Sequence, residues 1–282
     1  MTITAEQAAT RKKFLGASDI GAILGVNPFR NAADVWVEKT QSVAPFDDTE
    51  SIEIGNDFER PLLNWAERKI GMPLAFDLPT AYHPNGIMCA NLDAAVMGDN
   101  LPVEAKCTAM SEEWGEEGTD IVPSSHLVQL TAQMMCCGVD RGYIAAFLGG
   151  FRMARRLYAI ELNTELAEAI NEQACEWWEK YVVGGVMPNA APSIDVVKRI
   201  QPRPGTVVPV SVETARAFIA ANEKAKEAEK EKEEAKARLL AELGGADGGE
   251  CEGFDIAVKS VNVKEYTVQA RTDRRLTCKA AK

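Results

Sequence analysis

The chain has 282 residues, 46% of them hydrophobic and 26% charged, which is typical of a globular protein with one large domain or one domain and an appendage. No apolar run is long enough to cross a membrane, and the N-terminal stretch lacks the apolar centre of a signal peptide. The net charge of −11 argues against a coat protein that binds nucleic acid through a broadly basic surface, but it is compatible with an enzyme that has one basic cleft.

The cysteine and histidine content argues against a structural metal centre. The seven cysteines are scattered without a CxxC pair, and the chain has only two histidines. A zinc site or an iron–sulfur cluster normally needs such ligands at short, regular spacing. We therefore expect reduced thiols and a cytoplasmic location.

Residues 1–190 are predicted to form one continuous α/β domain. Ser18 is placed to cap a short helix that ends near Gly25, and a second helix is predicted from Ala32 to Lys39. A longer helix is predicted over 52–70, where the apolar spacing is helical. One row of this helix is expected to face inward: Glu59, Leu62, Leu63, Ala66 and Ile70.

The centre of the domain is predicted to contain short strands. Residues 87–93 and 101–107 are interpreted as a hairpin that turns through Gly98 to Asn100. The remaining predicted elements are a helix from Ser124 or Ser125 to Gly138, strands near 142–148 and 155–162, and a closing helix over 164–181.

Three further segments follow the domain. Residues 191–210 are predicted to be a Pro-rich linker, and 211–243 a long helix with a weak heptad that could form one arm of a coiled coil. Residues 244–282 are predicted to be a small β-like tail. Within it, 253–282 carries seven Lys or Arg against three Asp or Glu. We expect this tail to contact a partner or another copy of the chain.

The strongest chemical signal is Asp93 followed by the sequence Val103-Glu104-Ala105-Lys106. Residues two apart on a strand point to the same face, so Glu104 and Lys106 should project together. Two carboxylates and the Ala105 carbonyl are hard oxygen ligands of the kind that Mg²⁺ prefers. A lysine beside them can orient a water molecule or neutralise charge on a phosphate. The pattern predicts metal-assisted phosphodiester hydrolysis, although a Glu and a Lys on a surface hairpin that both face water would give the same pattern.

An ordered set of short motifs over residues 10–185 supports the catalytic interpretation. The set is Arg11 with Leu15-Gly16-Ala17-Ser18-Asp19-Ile20, then Gly55-Asn56-Asp57-Phe58-Glu59, Asn91-Leu92-Asp93, Glu104-Ala105-Lys106, and Gln129 on a helix. In order and spacing the chain resembles the phage recombination exonucleases of the lambda-exonuclease/YqaJ type, within the PD-(D/E)XK nuclease superfamily.

The resemblance implies a role for each matching residue. Asp93 and Glu104 would bind the metal, Lys106 would be the catalytic lysine, and Glu59 and Gln129 would complete the catalytic set. Arg11 and Ser18 match positions that contact the 5′-phosphate of DNA, and a serine at a helix start and an arginine fork are suited to an anion. For Glu59, Ser18 and Arg11, a purely structural role on a solvated surface stays open as the alternative.

The chain also departs from the family pattern. Ala94 and Thr108 stand where Gly and Pro are usual, and His126 and Thr131 replace the Tyr and the second Gln of a helical YxxQxQ-like element. A loop with Glu112, Glu113, Glu116 and Glu117 replaces a basic residue that helps to hold the 5′-phosphate. His126, Gln129 and Gln133 share one helical stripe. Gln129 is expected to face the cleft, and the orientation of the other two stays open.

Taken with the resemblance, the sequence predicts a restriction-endonuclease-like α/β core, a small mixed sheet flanked by helices, followed by a C-terminal long helix and a small β appendage. The implied activity is a Mg²⁺-dependent (or Mn²⁺-dependent) exonuclease that degrades one strand of linear duplex DNA from 5′ to 3′ in a bacterial or phage-infected cell. The implied partners are DNA ends, a single-strand annealing protein of the RecT/Bet type, and further copies of the chain in a ring-shaped trimer. An endonuclease with the same site and a non-catalytic DNA-binding scaffold stay open as alternatives.

Overall fold

The computed structural model describes residues 12–45, 49–109, 111–149, 153–262, 276 and 278. The chain divides into two compact units, with the boundary between Pro202 and Arg203. Arg11, one of the predicted site residues, lies outside the described residues.

The first unit is built on a five-stranded mixed sheet. Its strand order is β2-β5-β6-β7-β8, in which β6 and β7 are parallel and the other neighbours are antiparallel. The strands are β2 (Leu74–Ala75), β5 (Ala94–Val96), β6 (Pro102–Thr108), β7 (Arg141–Leu148) and β8 (Ala154–Glu161). Helices flank it, so the predicted small mixed sheet flanked by helices is confirmed.

The described residues of this unit also contain a second, three-stranded sheet and several helices. The sheet has the order β1-β4-β3, formed by β1 (Leu15–Gly16), β3 (Ala81–Tyr82) and β4 (Met88–Ala90). The helices are α1 (Ala17–Ile23), α2 (Ala32–Thr40), α3 (Glu50–Ile70), α4 (Ser124–Cys137), α5 (Thr164–Trp177), which continues into a π-helical turn (Trp178–Val183), and α6 (Ile194–Lys198).

Helices α3 and α4 cover opposite faces of the main sheet. Leu63 of α3 packs in one buried cluster with Val103 and Ala145, whereas Leu130 of α4 packs in another with Ile144. Adjacent strand residues point to opposite faces, so this division is expected from the alternation along β7. Glu104 and Lys106 lie in register with Ile144 and Ala146, which places both side chains on the α4 face.

The predicted hairpin is correct for one strand and wrong for its partner. β6 occupies the predicted span, but it pairs with Ala94–Val96 rather than with 87–93. Met88–Ala90 joins the other sheet. Between the two strands, Asn91 Oδ1 accepts a hydrogen bond from Thr80 Oγ1 and Asp93 Oδ2 accepts one from Ala105 N.

Two predicted helix caps are also wrong. Helix α1 is capped by Gly16, whose N–H donates to Asp19 Oδ2 at 2.9 Å, so Ser18 lies inside the first turn. Helix α4 is capped by Pro123, which places both Ser124 and Ser125 in its first turn. Proline suits this position because its ring fixes φ near the value of −54° that Pro123 has. The other predicted strands and helices of the domain are confirmed within a few residues.

The segment that follows the π-helical turn packs against α2. Ser193 N donates to Asp34 Oδ1 at 2.6 Å, Asn31 Nδ2 donates to the Ala191 carbonyl at 3.0 Å, and Ile200 forms a β-bridge with Val43. The first half of the predicted linker 191–210 therefore lies in the first compact unit and contains α6.

The second unit contains the predicted long helix and a hairpin. Helix α7 (Val212–Leu243) is capped by Ser211, whose Oγ accepts from Thr214 N, and none of its residues is buried. It ends at Gly244 in the left-handed conformation, and β9 (Gly248–Cys251) then pairs antiparallel with β10 (Phe254–Ala257). Among the described residues, no helix combines the length and hydropathy that crossing a bilayer would require.

Candidate active site

Asp93 lies immediately before β5, beside the strand that carries Glu104. Ala94 is in register with Val103, and Asp93 Oδ2 accepts a 2.9 Å hydrogen bond from Ala105 N. Burial, followed by the charge of Glu104, raises the pKa of Asp93 to about 8. The two carboxylates are therefore close enough to repel each other in a poorly solvated site.

Glu104 is almost fully buried and each of its oxygens accepts a hydrogen bond. It is 3% exposed. Oε1 accepts from Lys106 Nζ at 2.5 Å and from Gln129 Nε2 at 2.6 Å, and Oε2 accepts from Gln133 Nε2 at 2.5 Å. A buried carboxylate is tolerated only when it is paired and hydrogen-bonded in this way.

Lys106 projects beside Glu104, as the two-residue period of a strand predicts. Its Nζ also donates to Gln129 Oε1 at 3.1 Å. Burial alone would lower the pKa of Lys106, but the charge of Glu104 and its hydrogen bond outweigh burial, so the pKa is raised. The side chain is thus a fixed ammonium beside two carboxylates.

Helix α4 supplies two amide side chains to the site, one helical turn apart. Gln129 contacts both Glu104 and Lys106, in line with its expected orientation toward the cleft. Gln133, whose orientation the sequence left open, contacts Glu104 as well. The four-residue spacing from Gln129 places both on one helical face, and the position of Glu104 on β6 decides that this face lies toward the site.

Glu59 lies on α3, which packs against the other face of the sheet. Burial and then the charge of Glu59 raise the pKa of the Cys107 thiol, and the same carboxylate contributes to the raised pKa of Asp93. The negative charge of Glu59 therefore acts on groups of the site. Its neighbours in the predicted inward row, Leu62 and Leu63, are buried.

The Glu-rich loop after β6 is anchored close to α4. Trp114 is 6% exposed, and its ring centroid lies 5.4 Å from those of both His126 and Tyr158. The Gly115 carbonyl accepts hydrogen bonds from Arg156 Nη1 at 2.6 Å and from Tyr158 Oη at 2.8 Å. Burial, followed by the charge of Lys106, lowers the pKa of His126 to about 4, so its ring is neutral near pH 7. These contacts hold the loop against the His126 ring.

Ser18 is partly exposed in the first turn of α1, next to the buried Asp19. Asp19 accepts hydrogen bonds from Lys39 Nζ at 2.6 Å and from Arg30 Nη2 at 3.1 Å. Arg30 Nη2 also donates to Glu38 at 2.5 Å, which ties α1 to α2. The sequence motif around Ser18 therefore contains a buried ion pair that the sequence analysis did not identify.

The donor set suits a hard divalent cation. Asp93 and Glu104 supply carboxylate oxygens, and their mutual repulsion is of the kind that a cation relieves. Within the described ranges, no three His, Cys, Asp or Glu side chains form a cluster that could hold a metal ion. A cation here would complete its shell with backbone carbonyl, water or substrate oxygens, as Mg²⁺ commonly does.

The residues of the site lie in a part of the chain that is similar in sequence to a known domain family. Residues 7–140 match the family described as the YqaJ-like viral recombinase domain. The chain is 27% identical over 184 residues to the uncharacterized protein YqaJ of Bacillus subtilis, a match that covers 63% of this chain and 56% of that protein. The chain thus spans little more than half the length of this relative.

Structural comparison supports the fold assignment. An alkaline exonuclease from Laribacter hongkongensis, LHK-Exo, superposes with a TM-score of 0.52 at 18% identity, over 64% of this chain and 94% of that one. The same enzyme in complex with dAMP also gives 0.52, at 17% identity and the same coverage. At this identity the likeness establishes a shared fold. Residues 7–140 are thus similar in sequence to YqaJ-like viral recombinase domains, and the chain shares the fold of an alkaline exonuclease.

Proposed function

We propose that the chain is a metal-dependent exonuclease that hydrolyses one strand of linear double-stranded DNA from 5′ to 3′ and leaves 3′ single strands for annealing. The observation that carries the proposal is the buried Glu104, held by Lys106 and Gln129 beside Asp93. The exonucleases that the chain resembles, and the alkaline exonuclease whose fold it shares, support the choice of substrate and reaction.

In this proposal each side chain has a defined task. A Mg²⁺ ion bound by Asp93, Glu104 and the Ala105 carbonyl would lower the pKa of a water molecule and neutralise charge on the scissile phosphate. Lys106, held as an ammonium by Glu104, adds positive charge where the phosphate becomes more negative. Gln129 fixes the lysine and the carboxylate relative to each other, so that neither has to reorganise during the reaction.

Glu59, Ser18 and Arg11 have supporting roles in the proposal. Glu59 adds negative charge near the cation site. Ser18 and Arg11 are proposed, from the resemblance alone, to bind the 5′-phosphate. The long helix and tail of the second unit are proposed to contact other copies of the chain, in a ring-shaped trimer, or an annealing protein of the RecT/Bet type.

A comparison of linear and covalently closed circular DNA as substrates tests the proposal. Linear duplex DNA with a 5′-phosphate, labelled at either end, is digested with Mg²⁺, with Mn²⁺ or with EDTA, and covalently closed circular DNA is treated in parallel. We expect metal-dependent release of nucleotides from the 5′ end of the linear DNA and no cutting of the circle. Cutting of the circle would indicate an endonuclease, and no metal-dependent cleavage of either DNA would contradict the proposal.

A further inference from the structure

We propose that Gln133 is a positioning residue of the metal site, which fixes the Glu104 carboxylate in the orientation that binds the cation. This inference rests on the proposed function, because it assigns a task within the same site. Gln133 Nε2 donates to Glu104 Oε2 at 2.5 Å, whereas Gln129 and Lys106 both contact Oε1. Gln133 is the one described hydrogen-bond donor to the second carboxylate oxygen among the side-chain contacts of Glu104.

The burial of Gln133 shows that the amide is costly to keep. The residue is 1% exposed, and its Oε1 atom has no hydrogen-bond partner among the described residues. A buried acceptor without a partner is unfavourable, and an apolar side chain of the same size would avoid this cost. The cost is explained if the donation from Nε2 to Glu104 has a task that packing does not require.

Gln129 and Gln133 donate to different oxygens of the Glu104 carboxylate. Gln129 binds both Glu104 and Lys106, so a change there disturbs the lysine as well. Gln133 contacts only Glu104 in the active site, and its contact on Oε2 stops the carboxylate plane from rotating about the Oε1 contacts. Loss of this contact is therefore expected to weaken cation binding while leaving Lys106 in place. Groups that orient a metal ligand typically change the affinity for the metal 10- to 100-fold when removed.

The test measures the affinity for Mn²⁺ directly. The full-length protein and the variants Gln133→Met and Gln133→Asn are titrated with Mn²⁺ by calorimetry and by electron paramagnetic resonance, after circular dichroism has established that each is folded. Met has a similar length and cannot donate, and Asn keeps the amide but is one methylene shorter. Thr131→Val is the matched control, because Thr131 is equally buried on α4 and its hydroxyl contacts only the Leu127 carbonyl.

We expect Mn²⁺ to bind Gln133→Met roughly 10- to 100-fold more weakly than the wild type, Gln133→Asn to be weakened in the same direction, and Thr131→Val to match the wild type. Excess Mn²⁺ should restore the cleavage rate of the Gln133 variants. Wild-type affinity in both Gln133 variants would overturn the inference. If the wild type itself shows no Mn²⁺ binding that Asp93→Asn abolishes, the proposed function fails first and the inference fails with it.

Discussion

Gln129 and Glu104 are joined by a 2.6 Å hydrogen bond between Nε2 and Oε1, and the same amide accepts from Lys106 through its oxygen. One side chain thus sets the distance between the carboxylate and the ammonium. In the proposed reaction both groups must hold fixed positions, so Gln129 is expected to control the geometry of the site without carrying charge.

Replacement of Gln129 by Met is therefore expected to lower kcat by about 10- to 100-fold, since both amide contacts are lost while the size of the side chain is kept. The single-turnover cleavage rate at saturating Mg²⁺ measures the effect. Gln173→Met, an exposed position on α5, serves as the control and should cleave at the wild-type rate. Equal rates for both variants would show that the Gln129 amide has no part in the reaction.

Replacement of Asp19 by Asn is expected to destabilise the fold by about 3–5 kcal/mol at pH 7, because it removes the buried carboxylate that pairs with both Lys39 and Arg30. Burial would raise the pKa of Asp19, but those two cations outweigh burial and hold the pKa well below its usual range. The ionised Asp19 therefore stabilises the fold fully above about pH 4, the ordinary pKa of an aspartate in the unfolded chain. This stabilisation is lost as the pH falls toward the pKa of Asp19 in the folded protein.

Urea unfolding of the wild type and Asp19→Asn at pH 7 and at about pH 3 measures this dependence. The difference in unfolding free energy between the two proteins should be smaller at the lower pH. A difference that stays constant with pH would contradict a charged, ion-paired Asp19.

Gly115→Ala is expected to destabilise the protein by about 1–3 kcal/mol, because the new Cβ would lie 2.6 Å from Ile121 Cβ and from Thr119 Oγ1 in the loop behind His126. Gly55→Ala provides a matched comparison, since a Cβ there meets no atom within 4 Å and the residue is inside α3. Alanine should stabilise that helix by about 0.5–1 kcal/mol. Thermal unfolding of the two variants measures both effects. If Gly115→Ala raised the melting temperature, the close packing around Gly115 would be contradicted.

Much of the fold could be predicted because local sequence rules decided it. Gly71, Gly138 and Gly244 end helices in the left-handed conformation that glycine adopts without strain, so a local signal in the sequence marks each helix end. The apolar row through Leu62 and Leu63 likewise located the buried face of α3.

The pairing partner of β6 could not be predicted, because it depends on contacts between distant segments. The strand-like run 87–93 ends at Ala90, which pairs in the second sheet, and the next strand begins at Ala94 beside β6. The orientation of Gln133 was open for a similar reason. A polar helical stripe can face water or a cleft, and the buried Glu104 that decides between them lies on another element.

Removal of residues 253–282 is expected to change the sedimentation coefficient of the protein beyond the loss of mass, if the basic tail joins copies of the chain as proposed. The truncated and full-length proteins are compared by sedimentation velocity over a range of concentrations. An unchanged oligomer, together with unchanged binding of any partner protein, would remove the proposed role of the tail.

Single-turnover cleavage of 5′-labelled linear duplex DNA by Lys106→Ala tests the central claim most directly. Lys69→Ala, an exposed lysine on α3 that pairs with Glu117, is the control. The account predicts that Lys106→Ala binds DNA but cleaves about 10²- to 10⁴-fold more slowly at saturating Mg²⁺, while Lys69→Ala cleaves like the wild type. Wild-type cleavage by Lys106→Ala would contradict a catalytic site at Asp93, Glu104 and Lys106.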